Sequence, residues 1–326
     1  MMAKYRYSLP QLAEELFLTD GGIETTLIYR DGFELPLFAA FDVLRHPAGC
    51  EAVRRYYREH AAVARAQGVG FVLESATWRA SAEWGAKLGY DARALAEVNR
   101  QAIAMLHELR EEFETPAWRI PISGCIGPRG DGYKADVRMT AAEAEDYHAM
   151  QARIFAATGA DLVSAMTMTY VEEAIGVVRA ARAAGMPAVV SFTTETDGRL
   201  PSGQTLAAAI AEVDDATGAA PAYYMINCAH PVHFAEALGA GGEWWVRRIR
   251  GIRANASTKS HAELDGCTEL DAGDPADLAQ RCAALRRAFP QLTIFGGCCG
   301  TDHRHIGAIG EACRLDRGRP RCAAVA

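Results

Sequence analysis

Leu292-Thr293-Ile294-Phe295-Gly296-Gly297-Cys298-Cys299-Gly300 reads as a short apolar strand that halts on two adjacent thiols between glycines. A helix candidate, His303 to Cys313, follows it, so the stretch is one strand-helix unit. An earlier run, Ala222 to Cys228, has the same form: it ends on Asn227-Cys228 and leads into a helix candidate from Pro231 to Leu238.

Working outward from these two units, the pattern recurs. Strands are predicted over Leu18 to Glu24, Val69 to Ala76, Ile120 to Cys125, Asp161 to Thr167, Ala188 to Thr193 and Ile249 to Asn255. The helix candidates are Glu51 to Gln67, Ala92 to Phe113, Ala141 to Thr158, Glu172 to Ala184, Thr205 to Thr217 and Pro275 to Phe289. Thr140 with Glu143 forms a capping box, Asp274-Pro275 puts a cap before a proline at the first helical position, and Gly159, Gly185 and Gly218 follow helices.

Eight such alternations predict an α/β fold, a single (β/α)8 TIM barrel covering residues 1–326 as one domain. An open doubly wound sheet usually has fewer strands and a glycine-rich dinucleotide turn, and neither GxGxxG nor a P-loop pattern is present. A division into two α/β domains near residues 115–118 is the alternative, but no Pro/Gly/Ser-rich linker separates the halves.

Charge and cysteine usage narrow the function. With 34 basic and 41 acidic residues the formal charge is −7, which disfavours nucleic acid and anionic membranes as partners. The hydrophobic fraction of 50% is ample for a large core. Met1 to Leu9 carries Lys4 and Arg6 but no apolar signal core, and no transmembrane-length apolar run occurs. A reducing cytoplasm is therefore expected, where the nine cysteines serve as buried apolar groups, metal ligands or nucleophiles.

In a barrel, chemistry sits where strands end and loops begin. Those positions hold Asp20-Gly21-Gly22, Ser75-Ala76-Thr77-Trp78, Gly124-Cys125-Ile126-Gly127-Pro128, Asn227-Cys228, Asn255-Ala256-Ser257 and the paired cysteines. The sixth and eighth strands are separated by one strand, so Cys228 can face Cys298 and Cys299. Three thiolates suit tetrahedral Zn2+ with a fourth position left open. A substrate thiol is the natural occupant: it is deprotonated near neutral pH yet stays nucleophilic on an electron-rich centre, which suits attack on an electrophilic methyl group. A water-activating site more often uses His and carboxylate ligands.

These residues resemble the homocysteine S-methyltransferase family over nearly the whole chain, from Asp20-Gly21-Gly22 through Ile126-Gly127-Pro128, Ile226-Asn227-Cys228 and Asn255 to Phe295-Gly296-Gly297-Cys298-Cys299-Gly300-Thr301. The resemblance implies a cobalamin-independent methyltransferase with zinc held by Cys228, Cys298 and Cys299 at the C-terminal face of the barrel, and methionine as product. It implies that the acceptor thiol is the fourth ligand, and that Asp20 with backbone amides, including those of Gly21 and Gly22, holds the amino acid part. Asn255 is a candidate catalytic residue beside Asp20, and Thr77, Trp78, Thr167 and Tyr170 are candidate substrate contacts. The family commonly has Glu-Thr at the end of the fourth strand, where the carboxylate meets the ammonium of homocysteine. This chain has Met166-Thr167 there, and methionine accepts no hydrogen bond from an ammonium; Glu74 or Glu172 substitutes, or the acceptor is another small thiol.

The implied donor is a small onium compound such as S-methylmethionine, S-adenosylmethionine or betaine, a kind of cation often held against aromatic faces. Trp78, Trp84 and Tyr170 are the candidates, and packing of loops on the barrel rim is their alternative role. The long connections Thr25 to Cys50 and Ala256 to Gly273 are candidate donor-site walls, or else a subunit contact in a homo-oligomer. Cys50, Cys125, Cys267, Cys282, Cys313 and Cys322 read as buried or incidental, Cys125 being notable for ending a strand. His230, His233, His303 and His305 lie just inside following helices and are expected to face solvent or carboxylates rather than metal. A non-catalytic zinc or thiol-redox sensor on the same barrel is the alternative function.

Overall fold

The apolar runs become short parallel strands because both faces of each are covered, one by the barrel interior and one by helices. The computed structural model describes residues 2–239 and 242–315. Its strands are β1 (Phe17–Leu18), β2 (Gly70–Phe71), β3 (Leu73–Glu74), β4 (Ile122–Ile126), β5 (Leu162–Met168), β6 (Ala188–Phe192), β7 (Tyr223–Asn227), β8 (Ile249–Ala254) and β9 (Ile294–Gly297). They form one sheet in the order β2-β1-β9-β8-β7-β6-β5-β4-β3.

The two ends of that order are one stretch of chain. β2 pairs with β1 (Phe17 opposite Gly70), and β3, just past Val72, pairs with β4 (Leu73 opposite Ile122). The expected second strand, Val69 to Ala76, thus serves as two half-strands that exchange partners at Val72 and close the ring. Eight staves result, as the alternation predicted. Leu9, Phe17, Val72, Leu162, Val189, Tyr223, Met225 and Ile294, drawn from around the ring, make a separate buried cluster that fills its interior. The larger cluster lies between strands and helices.

The first expected strand is too long. It ends at Leu18, and Ile23–Tyr29 is a helix with Gly22 as its N-cap. The expected strand ran to Glu24, but the chain turns at Asp20-Gly21-Gly22 to lie on the segment after β9. A Cβ at Gly22 would stand 2.5 Å from the Cys298 carbonyl oxygen, and one at Gly21 2.8 Å from that of Thr301. This approach needs glycine at both positions.

The helices otherwise fall close to expectation. Pro47–Ala66 starts four residues before Glu51, with proline in its first turn. Ala92–Phe113 is as predicted. Thr140 and Glu143 form the capping box of Ala141–Ala156, Asp274 caps Pro275–Ala288, and Gly218 ends Leu206–Thr217 in the left-handed conformation. The connection from Thr25 to Cys50 is not structureless: short helical turns at Pro36–Phe38 and Ala40–Arg45 precede the helix at Pro47. Among the described residues no helix is long and apolar enough to cross a membrane. Cys322 lies outside the described residues.

Candidate metal centre and active-site cavity

Cys228, Cys298 and Cys299 meet at the C-terminal ends of β7 and β9, their sulfurs all within 4.8 Å of one another. Cys228 and Cys298 are joined as a disulfide across a sequence separation of 70, and Cys299 is free. Reduction frees two thiols, which with Cys299 make three close enough to reach one ion. A soft, all-sulfur set fits zinc, whose bonds to sulfur are about 2.3 Å, better than it fits the hard, oxygen-seeking cations. Burial pushes the Cys299 thiol up to about 11, so in the metal-free fold it keeps its proton, and a cation is needed to hold it as thiolate.

The backbone around this cluster is specialised. Thr167 and Cys228 both take left-handed φ angles, 62° and 53°. Thr167 belongs to a bulge: β5 advances from Ala165 to Met168 while β6 advances from Val190 to Phe192. Asn227 braces this region. Its Oδ1 accepts from the Thr167 backbone N–H at 3.0 Å and from the Ser191 hydroxyl at 2.7 Å, and its Nδ2 donates to Thr167 Oγ1 at 2.8 Å.

Other side chains hold the cysteines from behind. Asn255 Nδ2 donates to the Cys228 carbonyl at 3.0 Å, and His261 Nε2 lies 2.7 Å from the same oxygen. The Tyr133 ring stacks on His261 with centroids 4.1 Å apart, and its hydroxyl donates to Cys299 Sγ at 3.5 Å. Burial, reinforced by the nearby Cys299, pushes the Tyr133 hydroxyl well above its usual value, so it remains a donor.

The cluster lines a cavity of about 400 Å³. Of the sequence-derived candidates, Asp20, Gly21, Gly22, Trp78, Met166, Thr167, Cys228, Cys298 and Cys299 line it. Thr77, Asn255 and Tyr170 do not. The Thr77 hydroxyl is fully buried and donates to the Cys125 carbonyl at 2.7 Å. Asn255 acts on the cysteine backbone. Tyr170 is buried beneath the loop, where its hydroxyl accepts from Met139 N–H at 3.0 Å. Both long connections contribute walls, Tyr29 and Phe38 from one and Leu264 and Leu270 from the other.

Asp20 is engaged in a charge cluster that sequence reasoning missed. Arg253, inward-facing on β8, is 7% exposed and donates to Asp20 Oδ1 at 2.7 Å and to Glu74. Tyr56 donates to Asp20 Oδ2 at 3.0 Å and Ser123 to Glu74 Oε1 at 3.2 Å. Burial pushes the Glu74 carboxyl up while Arg253 opposes the shift. Both carboxylates are committed to protein partners, so Glu74 is a poor substitute for the glutamate absent at Met166. Glu172, in the first turn of the helix Val171–Ala183, is not among the cavity residues. An arginine within the otherwise apolar Ile249–Ala254 was the available signal.

The tryptophans are also occupied. The Arg79 guanidinium lies 4.2 Å from the Trp78 ring and 3.7 Å from the Trp84 ring, and Lys87 covers Trp84 at 4.2 Å. Protein cations already sit on these faces, which removes Trp84 and this face of Trp78 as an onium cage. None of the four histidines belongs to the cysteine cluster; His303 and His305 meet carboxylates as expected, whereas His230, a buried N-cap, and His233 do not. His303 meets Glu59 and His305 meets Asp302. His233 contacts the Thr258 carbonyl, and burial lowers His230, whose ring nitrogen accepts from Val232 N–H, to about 4. Cys125 is buried at the barrel mouth, and burial pushes its thiol well above the usual range.

Comparison with known proteins agrees with this geometry. The metallated form of the homocysteine methyltransferase MmuM from Escherichia coli is similar at 20% identity, with a TM-score of 0.73, over 94% of this chain and 99% of that one. Its oxidised form matches at 19% identity, with a TM-score of 0.73, over the same shares of 94% and 99%. Its apo form matches at 19% and a TM-score of 0.67, over 95% of this chain and 100% of that one. At these identities the likeness speaks for the barrel fold. No curated protein sequence matched. The homocysteine S-methyltransferase family model matches residues 17–313, nearly every element from β1 to the last helix. The chain therefore belongs to the homocysteine S-methyltransferase family and is a methyltransferase.

Proposed function

We propose that this chain moves a methyl group from a small onium donor to the thiol of homocysteine, forming methionine, with Zn2+ held by Cys228, Cys298 and Cys299. The observation that carries this reading is the meeting of three cysteine sulfurs within 4.8 Å on the wall of a cavity large enough for two small substrates. Zinc held by these cysteines would bind the acceptor thiol and lower its pKa, so that it is deprotonated near neutral pH yet remains nucleophilic.

The protein's own groups then do the positioning. Asn227 and Asn255 fix the backbone that carries Cys228, and Tyr133 donates to Cys299 and covers it. The acceptor sulfur attacks the methyl carbon in line, the bond from that carbon to the onium sulfur or nitrogen breaks, and its electron pair leaves with the now neutral donor. The acceptor thiol's proton goes to solvent. Gly21 and Gly22 let the backbone approach the segment that carries Cys298.

A cationic donor is supported by the acidic mouth. Asp131, Asp265, Glu269 and Asp271 line the same cavity, with Tyr29 and Phe38 as apolar surface. The Cys228–Cys298 bond must be reduced before zinc can use all three sulfurs, which accords with work in a reducing cytoplasm.

The test is zinc-edge X-ray absorption of the reduced, zinc-loaded protein with and without homocysteine. A fourth sulfur at the metal is expected, and its absence would remove homocysteine as acceptor. A methyl-transfer panel crossing several thiols with S-methylmethionine, S-adenosylmethionine and betaine then identifies the donor.

A further inference from the structure

Two opposite charges in the cavity have no ion-pair partner among the described residues. Glu24 lines it, and beyond contact with its own backbone amide its carboxylate has no hydrogen-bond or ion-pair partner among the described residues. Arg79 lines it too. That side chain is 7% exposed, its Nε is buried with no hydrogen-bond partner, and its one hydrogen bond goes to the Gly130 carbonyl at 2.9 Å. The two feel each other's charge but form no ion pair. The Arg79 guanidinium, though stacked on Trp78 and Trp84, keeps a buried Nε–H without an acceptor, and the half-buried Glu24 carboxylate borders the same cavity; a ligand carrying both charges would complete them.

Their location is next to the cysteines. Glu24 stands between Gly22, whose α-carbon abuts the Cys298 carbonyl, and Thr25, whose hydroxyl accepts from Gly300 N–H at 3.2 Å. Met166 lines the same cavity at the position where a carboxylate would otherwise be sought, and Asp20 and Glu74 are engaged by Arg253, Tyr56 and Ser123.

We infer that Glu24 and Arg79 form the clamp for the acceptor amino acid, Glu24 receiving its ammonium and Arg79 its carboxylate while its sulfur sits at the cysteine cluster. The inference rests on the homocysteine reading above and specifies how this chain recognises that substrate without a glutamate at position 166. In homocysteine the ammonium and carboxylate share one carbon, so the clamp requires two charges near each other; Glu24 and Arg79 line the same cavity, near enough that each feels the other's charge. The specificity it gives is for a zwitterionic thiol over thiols that carry one charge.

The experiment uses reduced protein loaded with Co2+ and reads thiol binding from the thiolate-to-cobalt absorption. Three thiols are titrated: homocysteine, 4-mercaptobutanoate, which lacks the ammonium, and 3-mercaptopropylamine, which lacks the carboxylate. Glu24→Gln is expected to weaken homocysteine and 3-mercaptopropylamine about tenfold or more and leave 4-mercaptobutanoate unchanged. Arg79→Gln is expected to do the reverse for the two single-charge thiols. In the Glu24→Gln background, Met166→Glu returns a carboxylate to the cavity and should recover part of the homocysteine affinity. An equal loss for all three thiols, or no loss, overturns the clamp while leaving homocysteine as acceptor. If the wild-type protein shows no absorption change with homocysteine, the acceptor reading itself falls.

Discussion

Asn227 and Thr167 are tied by two hydrogen bonds of opposite sense: the Thr167 backbone N–H donates to Oδ1, and Nδ2 donates back to the Thr167 hydroxyl, at 3.0 and 2.8 Å. One side chain therefore holds the β5 bulge against the last residue of β7, immediately before Cys228. Two left-handed residues that would be strained alone are fixed together. Replacing Asn227 with Ala should leave the barrel folded but weaken zinc about 10- to 100-fold, the usual effect of removing a group that orients a ligand. Competition with a chromophoric chelator, alongside circular dichroism, measures it; unchanged zinc affinity would show that the bulge holds without Asn227.

Cys298→Ala should release zinc and abolish methyl transfer while the protein still melts cooperatively, because the ligands lie at the barrel mouth, outside the interior cluster. Metal analysis by mass spectrometry and a thermal melt separate the two effects. In the wild-type protein, thiol titration before and after reduction should differ by the pair Cys228 and Cys298, and zinc uptake should follow reduction.

Arg253 is the counter-charge shared by two buried carboxylates. Arg253→Met should destabilise the fold by about 3–5 kcal/mol at neutral pH, since it leaves Asp20 and Glu74 without their counter-charge. Glu74, whose carboxyl burial already pushes up, takes up a proton more readily once Arg253 is gone, so the deficit should shrink in acid. Urea denaturation at pH 5 and pH 8 tests this; a pH-independent loss would point to packing alone.

Glu24 gives a pH effect of defined sign. Burial raises its carboxyl from the ordinary 4.5 to about 7, so the folded state holds this proton more tightly than the unfolded state. Its contribution to stability is fullest below about 4.5 and is lost as pH rises through about 7. Glu24→Gln should therefore melt higher than wild type at pH 8, by about 2–4 °C for each kcal/mol relieved, and the gap should close toward pH 4. A variant that is more stable yet binds homocysteine worse is the pattern of a residue kept for function.

Much of the barrel was legible because parallel strands buried on both faces leave continuous apolar runs, and because Thr140, Asp274 and Gly218 mark helix ends with side-chain or backbone chemistry of their own. The paired cysteines were legible for a related reason: thiols flanked by glycine at a strand end are unusual core material. What was hidden depends on groups far apart in sequence. Glu24 was placed in a strand because its neighbours are β-branched, and its freedom from partners emerges only from the fold. Arg253 looked incidental until Asp20 and Glu74 arrived beside it. Trp78 and Trp84 looked available for a cationic substrate, but Arg79, adjacent to one of them, had already taken both rings.

The Asp20, Glu74 and Arg253 cluster also constrains how this sequence can vary. A guanidinium shared by two enclosed carboxylates makes the acids conditional on the arginine: loss of the arginine strands two acids, whereas loss of either acid leaves a neutral pair. Drift that begins at the arginine therefore crosses an unfavourable intermediate, and drift that begins at an acid does not. Among relatives, a homologue lacking Arg253 should also have exchanged Glu74 or rebuilt the floor of its amino acid pocket.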